Sequence, residues 1–146
     1  MGQAWVRHVD LLDDEHSYYL VRARAWLKAN QAPAKAFPQL DLVANPAWNI
    51  LLDLYIALIE NRHISVSSAC IGSGAPSTTA LRYISALTEA GLIARIEDIH
   101  DKRRVFLQLT LQGRFGVQCA IDAASKAEKT LEYQKTLRSE PVERRL

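Results

Sequence analysis

Apolar residues in the first third of the chain repeat at helical spacing. Five apolar positions between Tyr19 and Leu27 form one stripe, and this stripe predicts a helix from about Asp14 to Asn30. Pro33 and Pro38 follow, and because proline interrupts the hydrogen bonding of a helix, we expect them to end it and begin a linker.

A second helix, over 46–62, is predicted to occupy the centre of the fold. Asn45 supplies a capping side chain, and Pro46 suits the first turn of a helix. The segment that follows is apolar on nearly its whole circumference, with only a narrow polar edge. A helix of that composition is buried, so we expect Trp48 and Tyr55 in the core.

The middle of the chain then changes from helical to alternating spacing. A short helix and a turn around Gly74 precede a longer helix over 76–90, which Gly91 is expected to end. Apolar and polar residues alternate in two runs within 92–110, and a charged segment separates the runs. This pattern predicts a β-hairpin with a polar tip.

The last helix, predicted over about 112–137, has a polar stripe and an otherwise broadly apolar circumference. That is more apolar surface than one small core needs, so we expect this helix and the first one to form an interface between two copies of the chain. The expected interface residues are Tyr19, Trp26, Leu27, Phe115, Ile121 and Leu131.

Composition limits the classes of protein that fit. The chain has 146 residues, 49% of them hydrophobic, and a net charge of only +2, as expected for one globular domain. No apolar run approaches the length of a membrane span, and the chain lacks the pattern of a signal peptide, so a cytoplasmic protein is expected. Cys70 and Cys119 are expected to be small, reduced core residues.

The helix over 76–90 has two faces that differ in chemistry. Ala80, Ile84 and Leu87 lie on one face and are expected to pack on the central helix. The opposite face carries small hydroxyl groups and one arginine, which are able to enter a major groove and bond to base edges. The residues expected to contact DNA from this helix are Ser77, Thr78, Thr79, Arg82 and Ser85. Helix capping is an equally good interpretation of Thr78 and Thr79.

The hairpin tip concentrates positive charge that the whole chain lacks. Lys102, Arg103 and Arg104 are consecutive, and we expect them to reach phosphates or a narrow minor groove. Asp101 is expected to orient the tip by holding Arg103. An ordinary solvated loop is the alternative interpretation of this charge run.

The segment Thr78–Gly113, TTALRYISALTEAGLIARIEDIHDKRRVFLQLTLQG, resembles the multiple-antibiotic-resistance-regulator (MarR) family. The similarity covers the recognition helix, the corner formed by Leu87, Gly91 and Leu92, and the wing signature. It implies a mainly α fold with a small β-hairpin wing, and a transcription regulator that binds double-stranded DNA as a homodimer. It also allows a small aromatic effector, although no residue of this sequence indicates one.

These inferences divide the chain into three parts of one compact domain. A helix and linker that support dimerisation occupy 1–45, a winged helix-turn-helix occupies 46–113, and a dimerisation helix with a tail occupies 114–146. The helix over 76–90 is expected to enter the major groove, while the wing over 92–110 follows the backbone or the minor groove.

Other functions have less support in the sequence. We find no nucleophile beside a base, no spacing typical of metal ligands and no cofactor motif, so no enzyme activity, metal or cofactor is expected. The alternative function is a winged-helix module that binds another protein and has no affinity for DNA, because a fold alone does not determine function.

Overall fold

The computed structural model describes residues 14–40 and 45–139, which form five helices and a three-stranded antiparallel sheet. The helices are α1 (Asp14–Ala36), α2 (Pro46–Ile59), α3 (Val66–Gly72), α4 (Ser77–Glu89) and α5 (Leu111–Ser139). The strands are β1 (Ile64–Ser65), β2 (Ile93–Glu97) and β3 (Val105–Leu109). The predicted fold class, mainly α with a β-hairpin wing, is confirmed. Parts of the predicted N-terminal segment, linker and tail lie outside the described residues.

Helix α2 begins where the sequence predicts and ends three residues earlier than predicted. The side-chain oxygen of Asn45 accepts a hydrogen bond from the backbone N–H of Trp48 at 3.1 Å, which caps the first turn. Asn61 has a φ of 55°, and a residue in this left-handed conformation cannot continue the helix. The helix therefore ends at Ile59.

The core forms around α2, which contacts all four other helices and β3. Tyr55 is fully buried, as predicted, and Trp48 packs at the edge of the core against Trp26 with ring centroids 5.0 Å apart. Helix α4 turns its predicted apolar face inward, so that Ala80 and Ile84 are completely covered. The position of α4 is therefore set by α2.

The sheet has the strand order β1-β3-β2. Strands β2 and β3 form the predicted hairpin, in which Ile93 pairs with Leu109 and Arg95 pairs with Leu107. Strand β1 pairs Ile64 with the same Leu107 from the other side. Strand β1 is not predicted from the sequence, because two residues are too few to show a period of two.

Helix α1 extends past its predicted end and contains Pro33. Proline removes one backbone donor, but here the loss falls near the end of a 23-residue helix. The carbonyl of Pro33 still accepts a hydrogen bond from the N–H of Phe37 at 3.0 Å. The expected end of the helix near Asn30 was therefore wrong.

The two cysteines have different environments. Cys70 is buried, as predicted, whereas Cys119 is exposed, so the expectation of two core thiols was wrong for Cys119. Helix α5 turns Val117 and Ile121 toward the core. Cys119 lies midway between them in sequence and therefore faces away from the core.

Gly113 lies where α5 crosses the start of the wing. A β-carbon at this position would lie 2.1 Å from the carbonyl oxygen of Leu92, which is far inside van der Waals contact. The hydroxyl of Thr110 accepts a hydrogen bond from the N–H of Gly113 at 3.1 Å and donates one to the carbonyl of Gly91 at 2.6 Å. The lack of a side chain therefore lets α5 start directly against the segment between α4 and β2.

We expect Gly113→Ala to destabilise the protein by about 1–3 kcal/mol, because the new methyl group must displace backbone. Gly116→Ala is the matched control on the same helix, since a β-carbon there meets no atom within 4 Å. Removing glycine from a helix interior is expected to stabilise it by about 0.5–1 kcal/mol. Urea unfolding of both variants measures the difference, and two changes of the same sign would contradict the close approach.

Asp53 on α2 is half-buried against the backbone of α3, where a β-carbon on Gly72 would lie 2.9 Å from its carboxylate oxygen. Burial raises the pKa of Asp53, and the positive charge of Arg62 opposes this only in part. The folded state therefore binds the proton of this acid more tightly than the unfolded chain does, and the charged form costs stability at neutral pH.

We expect Asp53→Asn to raise the Tm at pH 7, with the gain shrinking as the pH falls through the raised pKa, because both proteins are then neutral at this position. Thermal unfolding between pH 7 and pH 3 measures the difference. Glu89→Gln, at an exposed position on α4, is the control for loss of a carboxylate. A lower Tm for Asp53→Asn at pH 7 would show that the carboxylate is net stabilising.

Candidate nucleic-acid interface

Helix α4 presents an outward face of small polar side chains and one cation. Thr78, Arg82 and Ser85 are exposed on this face, one helical turn apart, and Ser77 is exposed at the start of the helix. Thr79 is half-buried at the flank. The predicted recognition residues of the helix therefore lie on one surface, apart from Thr79 at its edge.

The threonine hydroxyls do not cap α4. The N-cap residue is Pro76, which makes no side-chain hydrogen bond to the helix. Among the described residues, Thr78 and Thr79 donate to no partner, and Arg82 forms no ion pair. Their polar groups are therefore available to a ligand, and the capping interpretation fails.

Arg95 connects the wing to α4. Its guanidinium donates a hydrogen bond to the hydroxyl of Ser85 at 3.4 Å, across the gap between β2 and α4. The sequence does not single out Arg95, because a period of two places it on the same face of the hairpin as Ile93 and its cross-strand partner Leu107, which are both buried. The exposure of Arg95 and its contact with Ser85 follow from the tertiary fold.

Backbone hydrogen bonds fix the wing tip. The N–H of Asp98 donates to the carbonyl of Arg104, and the N–H of Arg104 donates to the carbonyl of Asp101, both at 3.0 Å. The carboxylate of Asp101 accepts from the backbone N–H of Arg103 at 3.0 Å. Asp101 thus holds the chain at the tip, whereas the expectation was that it would hold the arginine.

The three predicted cations of the tip, Lys102, Arg103 and Arg104, are all exposed. Within the described part of the chain, none of them forms an ion pair. Because the backbone beneath them is fixed, their charges project from a defined position.

A cleft of about 540 Å³ lies between the wing and the start of α3. Arg95, Arg103 and Arg104 line it together with Ser65, Ser67 and Asp101. Three guanidinium groups beside hydroxyl groups suit a phosphate, because arginine pairs with phosphate oxygens in a bidentate manner. Sequence analysis missed Ser65 and Ser67, since only the tertiary fold brings them to the wing.

The residues predicted for a dimer interface fall into two groups. Tyr19 and Ile121 are buried within the single chain, and Trp26 and Leu27 pack at the edge of its core. Phe115 and Leu131 are 68% and 66% exposed. Of the predicted interface residues, Phe115 and Leu131 are therefore the two that α5 exposes.

The polar stripe of α5 lies against tyrosines of the other helices. The hydroxyl of Tyr19 donates to the carboxylate of Asp122 at 3.0 Å, and Gln118 donates to the hydroxyl of Tyr55 at 3.2 Å. Burial and the hydrogen bond to Asp122 raise the pKa of Tyr19 to about 12. These contacts hold the first half of α5 on α1 and α2.

The second half of α5 extends away from the core. Every described residue from Lys126 to Ser139 is exposed, and an ion pair between Arg22 and Glu128 at 3.2 Å connects this half of the helix to α1. A groove of about 410 Å³ between the two helices is lined mainly by Trp26, Ile121 and alanines. None of the described helices is long and apolar enough to cross a membrane.

Solved structures of the transcription regulator MepR of Staphylococcus aureus share this fold. MepR, named as a regulator of the multidrug efflux pump MepA, matches with a TM-score of 0.56 and 19% identity over 84% of each chain. The S. aureus MepR–DNA complex matches with a TM-score of 0.55 and 21% identity, over 82% of this chain and 94% of that one. MepR in its DNA-binding conformation matches with a TM-score of 0.52 and 23% identity, over 81% of this chain and 83% of that one.

No protein-family model matches the chain, and no curated protein matches it in sequence. Because these solved structures are only 19–23% identical to this chain, the similarity shows the fold alone. The resemblance in Thr78–Gly113 and the three-dimensional match agree. The described chain has the winged helix-turn-helix fold of MarR-type regulators.

Proposed function

We propose that this chain is a DNA-binding transcription regulator that acts as a homodimer in the bacterial cytoplasm. The observation that carries the proposal is the basic cleft beside the outward face of α4. Arg95 lines the cleft and also donates a hydrogen bond to Ser85 on α4. Arg82 lies one helical turn from Ser85. Cations thus lie on α4, on the neighbouring strand and at the wing tip, where contact with one duplex requires them.

Helix α4 and the wing have different tasks. Helix α4 enters the major groove, where Thr78, Arg82 and Ser85 reach base edges. The wing cations and Arg95 bind phosphates of the backbone or enter the adjacent minor groove. The similarity in fold to MepR, which has been solved in complex with DNA, supports this docking.

We expect Arg103→Gln combined with Arg104→Gln to weaken binding to random duplex and to lower the magnitude of the salt slope by about two, since each phosphate contact contributes about 0.9. Fluorescence anisotropy across a salt series measures both quantities. Lys126→Gln with Lys129→Gln removes the same charge from exposed positions on α5 and is the matched control.

If both double variants lose affinity equally, net charge and not the wing carries the binding. If the unchanged protein binds no duplex at low salt, the alternative of a protein-interaction module takes the place of the proposal. The three arginines that line the cleft favour DNA.

Exposed apolar residues on α5 are the basis for proposing a dimer. Phe115, Leu131 and Tyr133 are largely exposed on a helix whose second half has no core beneath it. Apolar surface of this kind on a long helix is typical of an interface. A second copy related by a two-fold axis would cover it and place two α4 helices about one turn of DNA apart.

We expect Phe115→Glu with Leu131→Glu to convert the dimer to a monomer, because two buried charges would face each other across the axis. Analytical ultracentrifugation measures the mass. Ile99→Glu changes a wing residue that is 89% exposed and is expected to leave the dimer intact. A monomeric unchanged protein would contradict the proposed dimer.

A further inference from the structure

One apolar side chain interrupts the polar surface of α4. Leu81 is 43% exposed and lies between Thr78 and Ser85 along the helix, directly before Arg82. It lies about 100° around the helix from Ala80, so it is not part of the face that packs on α2.

The position of Leu81 brings it next to the basic cleft. Residues four apart on a helix are neighbours, so Leu81 lies beside Ser85, the residue that accepts the hydrogen bond of Arg95. A duplex held by Arg95 and the wing would therefore meet Leu81 at the floor of the major groove. Tyr83, also exposed on α4, lies about 200° away from Leu81 around the axis.

The major groove offers few groups that an isobutyl side chain can contact favourably. Most of its edge consists of hydrogen-bond donors and acceptors, and burial of these against leucine would cost free energy. The C5-methyl group of thymine is the apolar group of that edge. Contact between it and a leucine removes apolar surface of both from water.

We propose that Leu81 determines sequence specificity by recognising the methyl group of a thymine in each half-site. The inference rests on the proposed function, since it requires α4 in the major groove. Thr78, Arg82 and Ser85 supply hydrogen bonds around this apolar contact, so the selected half-site carries a thymine within reach of the same turn of the helix.

The test begins with duplexes that the full chain selects from a random-sequence library. Deoxyuridine, which lacks the methyl group, then replaces each thymine of the selected site in turn. We expect one position in each half-site at which the unchanged protein loses roughly fourfold in affinity, the loss typical of one buried methyl group. At the other thymines the loss is expected to be small.

Variants assign the effect to Leu81. Leu81→Ala, at an exposed position, is expected to bind the thymine and deoxyuridine duplexes with equal affinity at the sensitive position. Tyr83→Ala removes an aromatic side chain that is 38% exposed from the other flank of the helix and is expected to keep the fourfold ratio. Circular dichroism checks that both variants are folded.

The outcomes separate the two proposals. Sequence-selective binding with no deoxyuridine-sensitive position, or with the same ratio in Leu81→Ala as in the unchanged protein, overturns the role of Leu81 and leaves the DNA-binding function standing. Failure to bind any duplex at low salt overturns both.

Discussion

The burial of α2 is the constraint on which the rest of the structure depends. This helix is apolar on nearly every side, and each of the other helices and β3 packs against part of it. Hydrophobic burial contributes free energy in proportion to the apolar area removed from water, so the arrangement that covers all of α2 is strongly favoured. The positions of the surface elements follow from that arrangement.

The candidate interface depends on α2 without including any of its residues. Ile84 of α4 and Leu107 of β3 are buried in the core around α2, and this packing sets the distance between the recognition helix and the wing. The hydrogen bond from Arg95 to Ser85 then closes the gap at the surface. The core therefore places Ser65 and Ser67, which lie about 30 to 40 positions earlier in the chain, beside the arginines of the wing around one cleft.

Sequence patterns predicted the parts of the fold that have strong local signals. The apolar circumference of α2 indicated a buried helix, and the alternation around Leu107 indicated the hairpin. The two faces of α4 were also predicted, because its apolar residues repeat at helical spacing and the residues opposite them are mostly polar. These elements can be predicted without knowing which residues far apart in sequence are in contact.

The features that were missed depend on tertiary contacts or on local exceptions. The polar stripe of α5 gives no sign that Asp122 meets the hydroxyl of Tyr19, since the two residues are 103 positions apart. Ser67 and Arg95 become part of one cleft only after the sheet has formed. The continuation of α1 through Pro33 shows that one missing donor near a helix end is tolerated.

The distribution of charge indicates how affinity and specificity are divided in the proposed complex. Electrostatic binding to phosphates is long-ranged, independent of sequence and sensitive to salt, and the cations that would supply it are those of the wing and β2. Helix α4 carries one arginine on its outward face, so attraction to the backbone is weak there. Hydroxyl groups and Leu81 act only at contact distance, where they distinguish one base edge from another. A chain with a net charge of +2 thus needs its positive groups gathered beside the helix, and the recognition helix is left to small side chains that fit the groove.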